Sequence, residues 1–238
     1  MTVVEWKKEE TIAVITMTHG ENRHNPVFVE AILKVFDEIE QDPSVTSAVI
    51  TSDDPKNWSQ GIDLTWIMSA YGEKRLQEIK DFMYGLNRMF KRILLIPMPV
   101  IAAINGHAFG DGAIMACCCD FRFMRADRGF FCFPEIDISI PFLPGMLAIV
   151  KKAFPYYKLE EAAFSGKRYG GAELEMHHVV VKACADSEAL LADAISFGKT
   201  FNKKRPIYGE MKKRFHKEII RTIDTEDPAF IEPLALML

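Results

Sequence analysis

The chain has 238 residues, 49% hydrophobic and 26% charged, enough apolar material for one large core. Its formal net charge of -4 excludes a chain-wide basic footprint for nucleic acid, so an anionic ligand must be held by a local basic patch. Five cysteines (Cys117, Cys118, Cys119, Cys132 and Cys184) suit neither a disulfide framework nor a zinc spacing, and they read as small, reduced, buried side chains. The first eight residues lack the basic-then-apolar order of a signal peptide, and no apolar run is long enough to span a bilayer. Pro233–Leu238 carries neither a lipidation motif nor an S-K-L ending. The expectation is a cytoplasmic protein with no membrane and no nucleic-acid partner.

The β-branched run Thr11–Thr18 predicts a strand. Gly20–Pro26 is loop chemistry, and Asn25-Pro26 predicts an N-cap with proline at the first helical position. The helix that follows spans Val27–Glu40, with Val27, Ala31, Ile32, Val35, Phe36 and Ile39 at helical spacing. Asp42-Pro43 ends it, and Ala48–Thr51 is a short strand. After the polar loop Ser52–Gln60, the segment Gly61–Leu64 leads into a helix, and a longer helix spans Lys74–Leu95 before Pro97 and Pro99. On that helix Phe82, Met83, Leu86, Met89 and Phe90 share a helical spacing that suits either the lining of a pocket or, as the default, core packing.

Val100–Ile104 is apolar throughout and predicts a strand buried on both faces. A glycine-rich turn, Asn105–Gly112, opens a helix over Ala113–Cys118, and Asp120–Met124 is the next strand. Phe130–Phe133 then leads to Pro134-Glu135. Beyond Gly145 the spacing predicts helices over Met146–Phe154, Ala172–Met176, Ser187–Phe201 and Pro206–Thr222. Strand and helix units followed by helices alone predict an α/β fold with a helical C-terminal region. No repeat, low-complexity tract or linker divides it.

Glu135 stands among Phe130, Phe131, Phe133, Ile136 and Ile138. Burial there disfavours the charged carboxylate and moves its pKa toward the range of a useful acid/base. On the residues alone, Glu135 is such a group, a strand-end carboxylate facing water, or half of a buried ion pair. Gly110 and Gly112 alone describe an ordinary tight turn.

Three segments together are more specific. Trp58-Ser59-Gln60-Gly61-Ile62-Asp63-Leu64, then Pro99–Gly112, then Phe133-Pro134-Glu135-Ile136-Asp137-Ile138 resemble, in that order, three motifs of the crotonase (enoyl-CoA hydratase/isomerase) superfamily. The motifs are an S-G-G-D-like loop, a P-V-I-A-A-x-N-G-x-A-x-G-x-G segment and a P-E segment. Cys119-Asp120 and Pro144-Gly145 also match. The resemblance runs from the first strand to about Gly145, and more loosely to the end. It implies a crotonase-like spiral of ββα units over residues 1–190, with a helical trimerisation region over 191–238. Its implied partners are an acyl-CoA thioester and the chain itself, as a homotrimer or hexamer. No metal or other cofactor is implied, because CoA arrives as part of the substrate.

The resemblance also implies site residues. The amides of Ile62 and Asp111, flanked by Gly61, Gly110 and Gly112, form an oxyanion hole, and Glu135 is the catalytic acid/base. Two amides aimed at an enolate oxygen contribute several kcal/mol, and a helix N-terminus adds positive potential. Arg23 and His24 lie in the loop where the family holds part of the nucleotide. Lys213, with Lys212 beside it, lies where the family often supplies a phosphate-binding lysine. The hydratases carry a first glutamate at the position of Ile114; isoleucine there neither activates water nor delivers a proton. The pattern therefore resembles the single-glutamate Δ3,Δ2-enoyl-CoA isomerases, and Met124–Phe131 resembles their plant-type members. The further acid of the dienoyl-CoA isomerases has no match in Phe142–Gly145.

Asp111 departs from the glycine or alanine usual there. Its carboxylate opposes an enolate unless it points away, pairs with a base such as His107 or Arg23, or acts chemically. Asp137 and Asp120 are expected to be structural, with Asp137 two residues from Glu135 along a strand face. His177, His178 and His216 lack metal-ligand spacing partners. The rival readings are another acyl-CoA reaction on the same scaffold (hydrolysis, decarboxylation, dehalogenation or hydration) and a non-catalytic acyl-CoA-binding protein.

Overall fold

The computed structural model describes residues 2–236. Met1, and the last two residues of the Pro233–Leu238 segment, lie outside the described residues. A hairpin of β1 (Val4–Glu9) and β2 (Ile12–Met17) starts the chain. The chain then runs repeatedly from a long strand through a short strand to a helix. β2 leads to β3 (Arg23–His24) and α1 (Pro26–Gln41). β4 (Ser47–Ser52) leads through β5 (Asn57–Ser59) and β6 (Gly61–Ile62) to α2 (Leu64–Gly72) and α3 (Leu76–Leu95). β7 (Val100–Ile104) leads through β8 (His107–Phe109) to α4 (Asp111–Cys118). β9 (Phe121–Arg125) leads through β10 (Phe131–Cys132) to α5 (Pro144–Ala153). This alternation is the expected spiral of ββα units.

The remainder comprises α6 (Tyr156–Phe164), α7 (Gly171–Met176), β11 (Lys182–Cys184), α8 (Ser187–Lys199), α9 (Arg205–Phe215), α10 (Lys217–Thr225) and α11 (Pro228–Ile231). The longer strands and the three-residue β11 form a six-stranded sheet in the order β1-β2-β4-β7-β9-β11, parallel except for the first pair. The short strands form a three-stranded sheet, β10-β8-β5, and a two-stranded sheet, β3-β6.

Alternation along the strands divides the core. Ile12, Val14, Val49, Ile101 and Ala103 pack with Leu190, Ala194 and Ile195 of α8. The intervening Ala13, Ile15, Ile50, Val100, Ala102 and Ile104 face the other way, into the main core with α1, α3 and α4. β7 is therefore covered on both faces, as its continuous apolar run requires. On α3, Phe82, Met83, Leu86, Met89 and Phe90 are all buried in the core. Asn25 caps α1 by accepting from the Phe28 N–H, with Pro26 at the start of the helix.

Several elements differ from expectation. β1 was unmarked because it is an edge strand: Glu5 and Lys7 point outward, so no alternating apolar face shows. β11 and α6 were also unmarked. The helix expected over Pro206–Thr222 breaks at His216, because α9 packs on α3 and α10 on α5. The residues after Pro134 form a turn, with the Asp137 and Ile138 N–H groups donating to Pro134 O, rather than an extended strand. The five cysteines are free and buried. Among the described residues no helix is long and apolar enough to cross a membrane.

Candidate active site

The short strands bring distant segments together. β6 pairs with β3, setting Gly61 opposite Arg23 and Ile62 opposite His24, and the Asp63 N–H donates to His24 O at 2.8 Å. Asp63 then caps α2 by accepting from the Trp66 N–H. β8 carries the chain into Gly110, whose N–H donates to Cys132 O at 3.0 Å and so ties the turn to β10.

Gly61 has φ +74, and a Cβ there would lie 2.7 Å from Phe109 O and 2.8 Å from Asp111 N. Only glycine permits that approach, and it sets the Gly61–Ile62 backbone against the first amide of α4. A Cβ on Gly112 would strike Ser59 O at 2.6 Å, so the next residue of the helix is seated equally tightly. Asp111 opens α4, and its N–H is among the helical donors with no acceptor one turn back. Ile62 and Asp111, 49 residues apart in sequence, thus present adjacent backbone.

Glu135 arrives from the turn after β10. A Cβ on Gly110 would sit 3.5 Å from Glu135 Oε1, which places the carboxylate at the N-terminus of α4. Glu135 Oε2 is buried and has no hydrogen-bond partner. Burial pushes the carboxyl up to about 8; its own backbone N–H works against the rise, and the charge of Asp111 adds to it. The expected cause of burial needs correction. Phe130, Ile136 and Ile138 are 41%, 55% and 42% exposed, so they do not enclose it. The Gly110 turn lies against the carboxylate, and Phe133 joins Phe131 in the core. Asp137 is carried round the turn and does not share a strand face with Glu135.

Ile114 is buried one helical turn beyond Gly110, with its N–H on Gly110 O. The position that resembles a second acid is therefore filled by hydrocarbon. Asp111 pairs with neither His107 nor Arg23. Its Oδ2 lies 2.5 Å from His24 Nδ1, and the two side chains are 2% and 0% exposed. His24 Nε2 lies 3.0 Å from Ser59 Oγ. The expectation that His24 meets a nucleotide in the loop is corrected: the ring faces inward, because β3 alternates and Arg23 takes the outer side. Arg23 is half-exposed and its Nε donates to Glu21 at 2.8 Å. His107 Nδ1 instead accepts from the Phe130 N–H at 3.2 Å.

The two lysines of α9 separate in the same way. Lys213 is exposed, whereas Lys212 is buried, its Nζ donating to Ile93 O, Met98 O and Asp120 Oδ2. Asp120 also accepts from the Val100 N–H, so it ties α9 to β7 and is structural. The site gathers Ile62, Asp111, Gly61, Gly110, Gly112, Ile114 and Glu135, with Arg23 and His24 on the neighbouring strand; nothing draws Lys213 to it. Among the described residues no group of three or more His, Cys, Asp or Glu is arranged to hold a metal ion. The His24–Asp111–Ser59 chain is what sequence reasoning missed. Its only trace there was that Asp111 stood where a small residue was expected.

Comparison with known proteins identifies the family. Residues 7–228 match the enoyl-CoA hydratase/isomerase family. Enoyl-CoA delta isomerase 3 of Arabidopsis thaliana is 29% identical over 225 residues, covering 92% of this chain and 94% of that protein. Enoyl-CoA delta isomerase 2, peroxisomal, of the same organism is 28% identical, covering 95% and 98%. The crystal structure of a probable enoyl-CoA hydratase, ECHA3, from Mycobacterium tuberculosis superposes with a TM-score of 0.88 at 23% identity, covering 98% of this chain and 97% of that one. With the family spanning most of its length and the spiral fold in place, this chain belongs to the enoyl-CoA hydratase/isomerase family and is an enzyme of the crotonase superfamily.

Proposed function

We propose that the protein converts 3-enoyl-CoA to trans-2-enoyl-CoA, with Glu135 as the single acid/base. One observation carries this reading. The Glu135 carboxyl, raised to about 8, meets the N-terminus of α4, where the other carboxyl, Asp111, is paired with His24, and isoleucine occupies the position of a second acid. The Glu135 carboxylate takes a proton from C2, and the C–H electron pair forms a C1=C2 bond while the carbonyl pair moves to oxygen. The amides of Ile62 and Asp111 donate to that oxygen and stabilise the dienolate. The oxygen pair then restores the carbonyl, the double bond settles between C2 and C3, and Glu135 returns the proton to C4. Hydration would need a second group to manage water, and Ile114 cannot serve.

The substrate is an acyl-CoA thioester, and this chemistry needs no further cofactor. Arg23 and Lys213 are the candidates for its phosphates. Self-association of the helical region 191–238 as a trimer or dimer of trimers is supported by Ile207, Met211 and Phe215, exposed at four-residue spacing along α9. A cytoplasmic location is supported by the five unpaired cysteines.

The test is turnover of purified protein with 3-hexenoyl-CoA and, separately, 2-hexenoyl-CoA in water. Formation of the 2-enoyl ester without hydration supports the reading. Hydration or thioester cleavage as the dominant reaction would overturn it.

A further inference from the structure

The reaction as written leaves one buried group without a role. A carboxylate, Asp111, stands directly behind an amide that must receive negative charge, and its Oδ1 has no hydrogen-bond partner. An anion there opposes the enolate. The surrounding hydrogen bonds show where the compensating proton is.

Ser59 Oγ has three polar neighbours. Asn22 O at 2.8 Å can only accept, so it takes the single hydroxyl proton. The Gly61 N–H at 3.1 Å can only donate, and fills one lone pair. His24 Nε2 at 3.0 Å is left facing the other lone pair, and must itself carry a proton. With Nε2 protonated, the 2.5 Å contact between Nδ1 and Asp111 Oδ2 requires a second proton between the two atoms. Whichever atom that proton is nearer, the pair has no net charge. The opposite arrangement, with Ser59 donating to Nε2, would set two oxygens 2.8 Å apart with no proton between them. The ring also stacks on Phe28 at 4.5 Å, a neighbour suited to a cationic imidazole.

We propose that His24 is a positioning residue which, by holding a proton against Asp111, cancels the charge behind the oxyanion-binding amide and fixes the first turn of α4. His24 touches no substrate; it acts through Asp111. The consequence for turnover rests on the isomerase reading, but the protonation of the pair does not.

Two measurements test it. The first is nitrogen-15 NMR of histidine-labelled protein at pH 7, without substrate. The expected result is a protonated Nε2 on His24 and a strongly deshielded Nδ1 proton, both lost in His24→Gln. An unprotonated Nε2 would show that Asp111 is an uncompensated anion and would overturn the proposal. The second is kinetic. His24→Gln keeps a donor to Asp111 but no charge, and is expected to lower kcat roughly 10- to 100-fold, less than loss of a whole oxyanion donor, with KM changed by no more than about 3-fold. Adding Asp111→Asn removes the charge needing compensation, and the double variant is expected to recover most of that loss. A double variant no better than His24→Gln, with both folded by circular dichroism, would reduce His24 to packing. If the wild-type protein failed to isomerise, the functional reading would fall while the NMR result still decided the charge state.

Discussion

The two ends of α4 are buried in the same core and follow opposite rules. At the C-terminal end Lys152 Nζ donates to Cys117 O, Cys118 O and Cys119 O, at 2.9, 3.4 and 2.8 Å. Arg122 donates to Ala116 O, Cys119 O and Val179 O. The carbonyls that a helix end leaves without partners are thus taken up by two cations, the sign that the helix dipole favours there. At the N-terminal end stand two carboxyl groups, and Asp111 Oδ1 and Glu135 Oε2 lack partners. Native proteins rarely leave buried polar atoms unsatisfied, and the exceptions call for an explanation. One end of the helix is finished by the protein itself and contributes stability. The other leaves two buried carboxyl oxygens unsatisfied, and in the proposed reaction it contributes the chemistry.

The sharpest separation of the two ends comes from Glu135→Gln. The substitution keeps the shape and removes the base, so kcat is expected to fall roughly 10³- to 10⁴-fold, the upper part of the range for general acid–base catalysis. Binding of a saturated acyl-CoA should stay within a modest factor, measured by calorimetry. Turnover within 10-fold of wild type would remove Glu135 from the mechanism. Gly61→Ala attacks the same end through the backbone. Its Cβ would meet Phe109 O and Asp111 N below 3 Å at a positive φ, so the two amides must part. We expect a loss of about 10²-fold in kcat together with roughly 1–3 kcal/mol of stability from backbone strain. Unaltered turnover would mean that the amides do not act as a pair.

What the sequence made legible follows from how local each signal is. β7 announced itself by a continuous apolar run, α1 by Asn25-Pro26, and the turn before α4 by its glycines, each readable within a dozen residues. Glu135 was legible as a residue, yet the reason for its burial was not. Its chain neighbours Ile136 and Ile138 turn outward, and Gly110, which lies against its carboxylate, is brought near only by the tertiary fold. The His24–Asp111 pair spans 87 positions and joins β3 to α4, so no window along the chain contains it. Lys212 and Lys213 are adjacent and chemically alike. Which one enters the core is decided by the phase of α9 on α3, which spacing in α9 alone does not fix. β1 was hidden because an edge strand with exposed charges needs its partner, β2, to define it.

At the other end of α4, Lys152→Met is expected to cost about 1–3 kcal/mol, since it leaves buried carbonyls without donors. Activity per folded molecule should hold within about 2-fold, because Lys152 lies a full helix away from the reacting atoms and α4 is anchored at its start by Gly110 and Gly112. Urea melts and initial rates on the same samples check both statements. A large loss of kcat with no loss of stability would mean that the two ends are coupled through the helix.

The remaining expected effect is a slope. The folded-state pKa of Glu135, about 8, lies above its ordinary value of 4.5. Between those values the folded chain keeps a proton that the unfolded chain has released, so the contribution to stability is full below about 4.5 and declines as pH rises toward 8. The decline is at most about 1.4 kcal/mol per pH unit and levels off above the folded value. Isomerisation runs the other way, because the base must be ionised: kcat/KM should rise with pH through a limb near 8. Glu135→Gln should flatten this part of the stability profile, making the variant more stable relative to wild type at pH 9 than at pH 5. Urea midpoints of the two proteins at those two pH values measure the difference. If it does not change between them, the Glu135 carboxyl is not held protonated by burial, and its lack of a partner at Oε2 would need another cause.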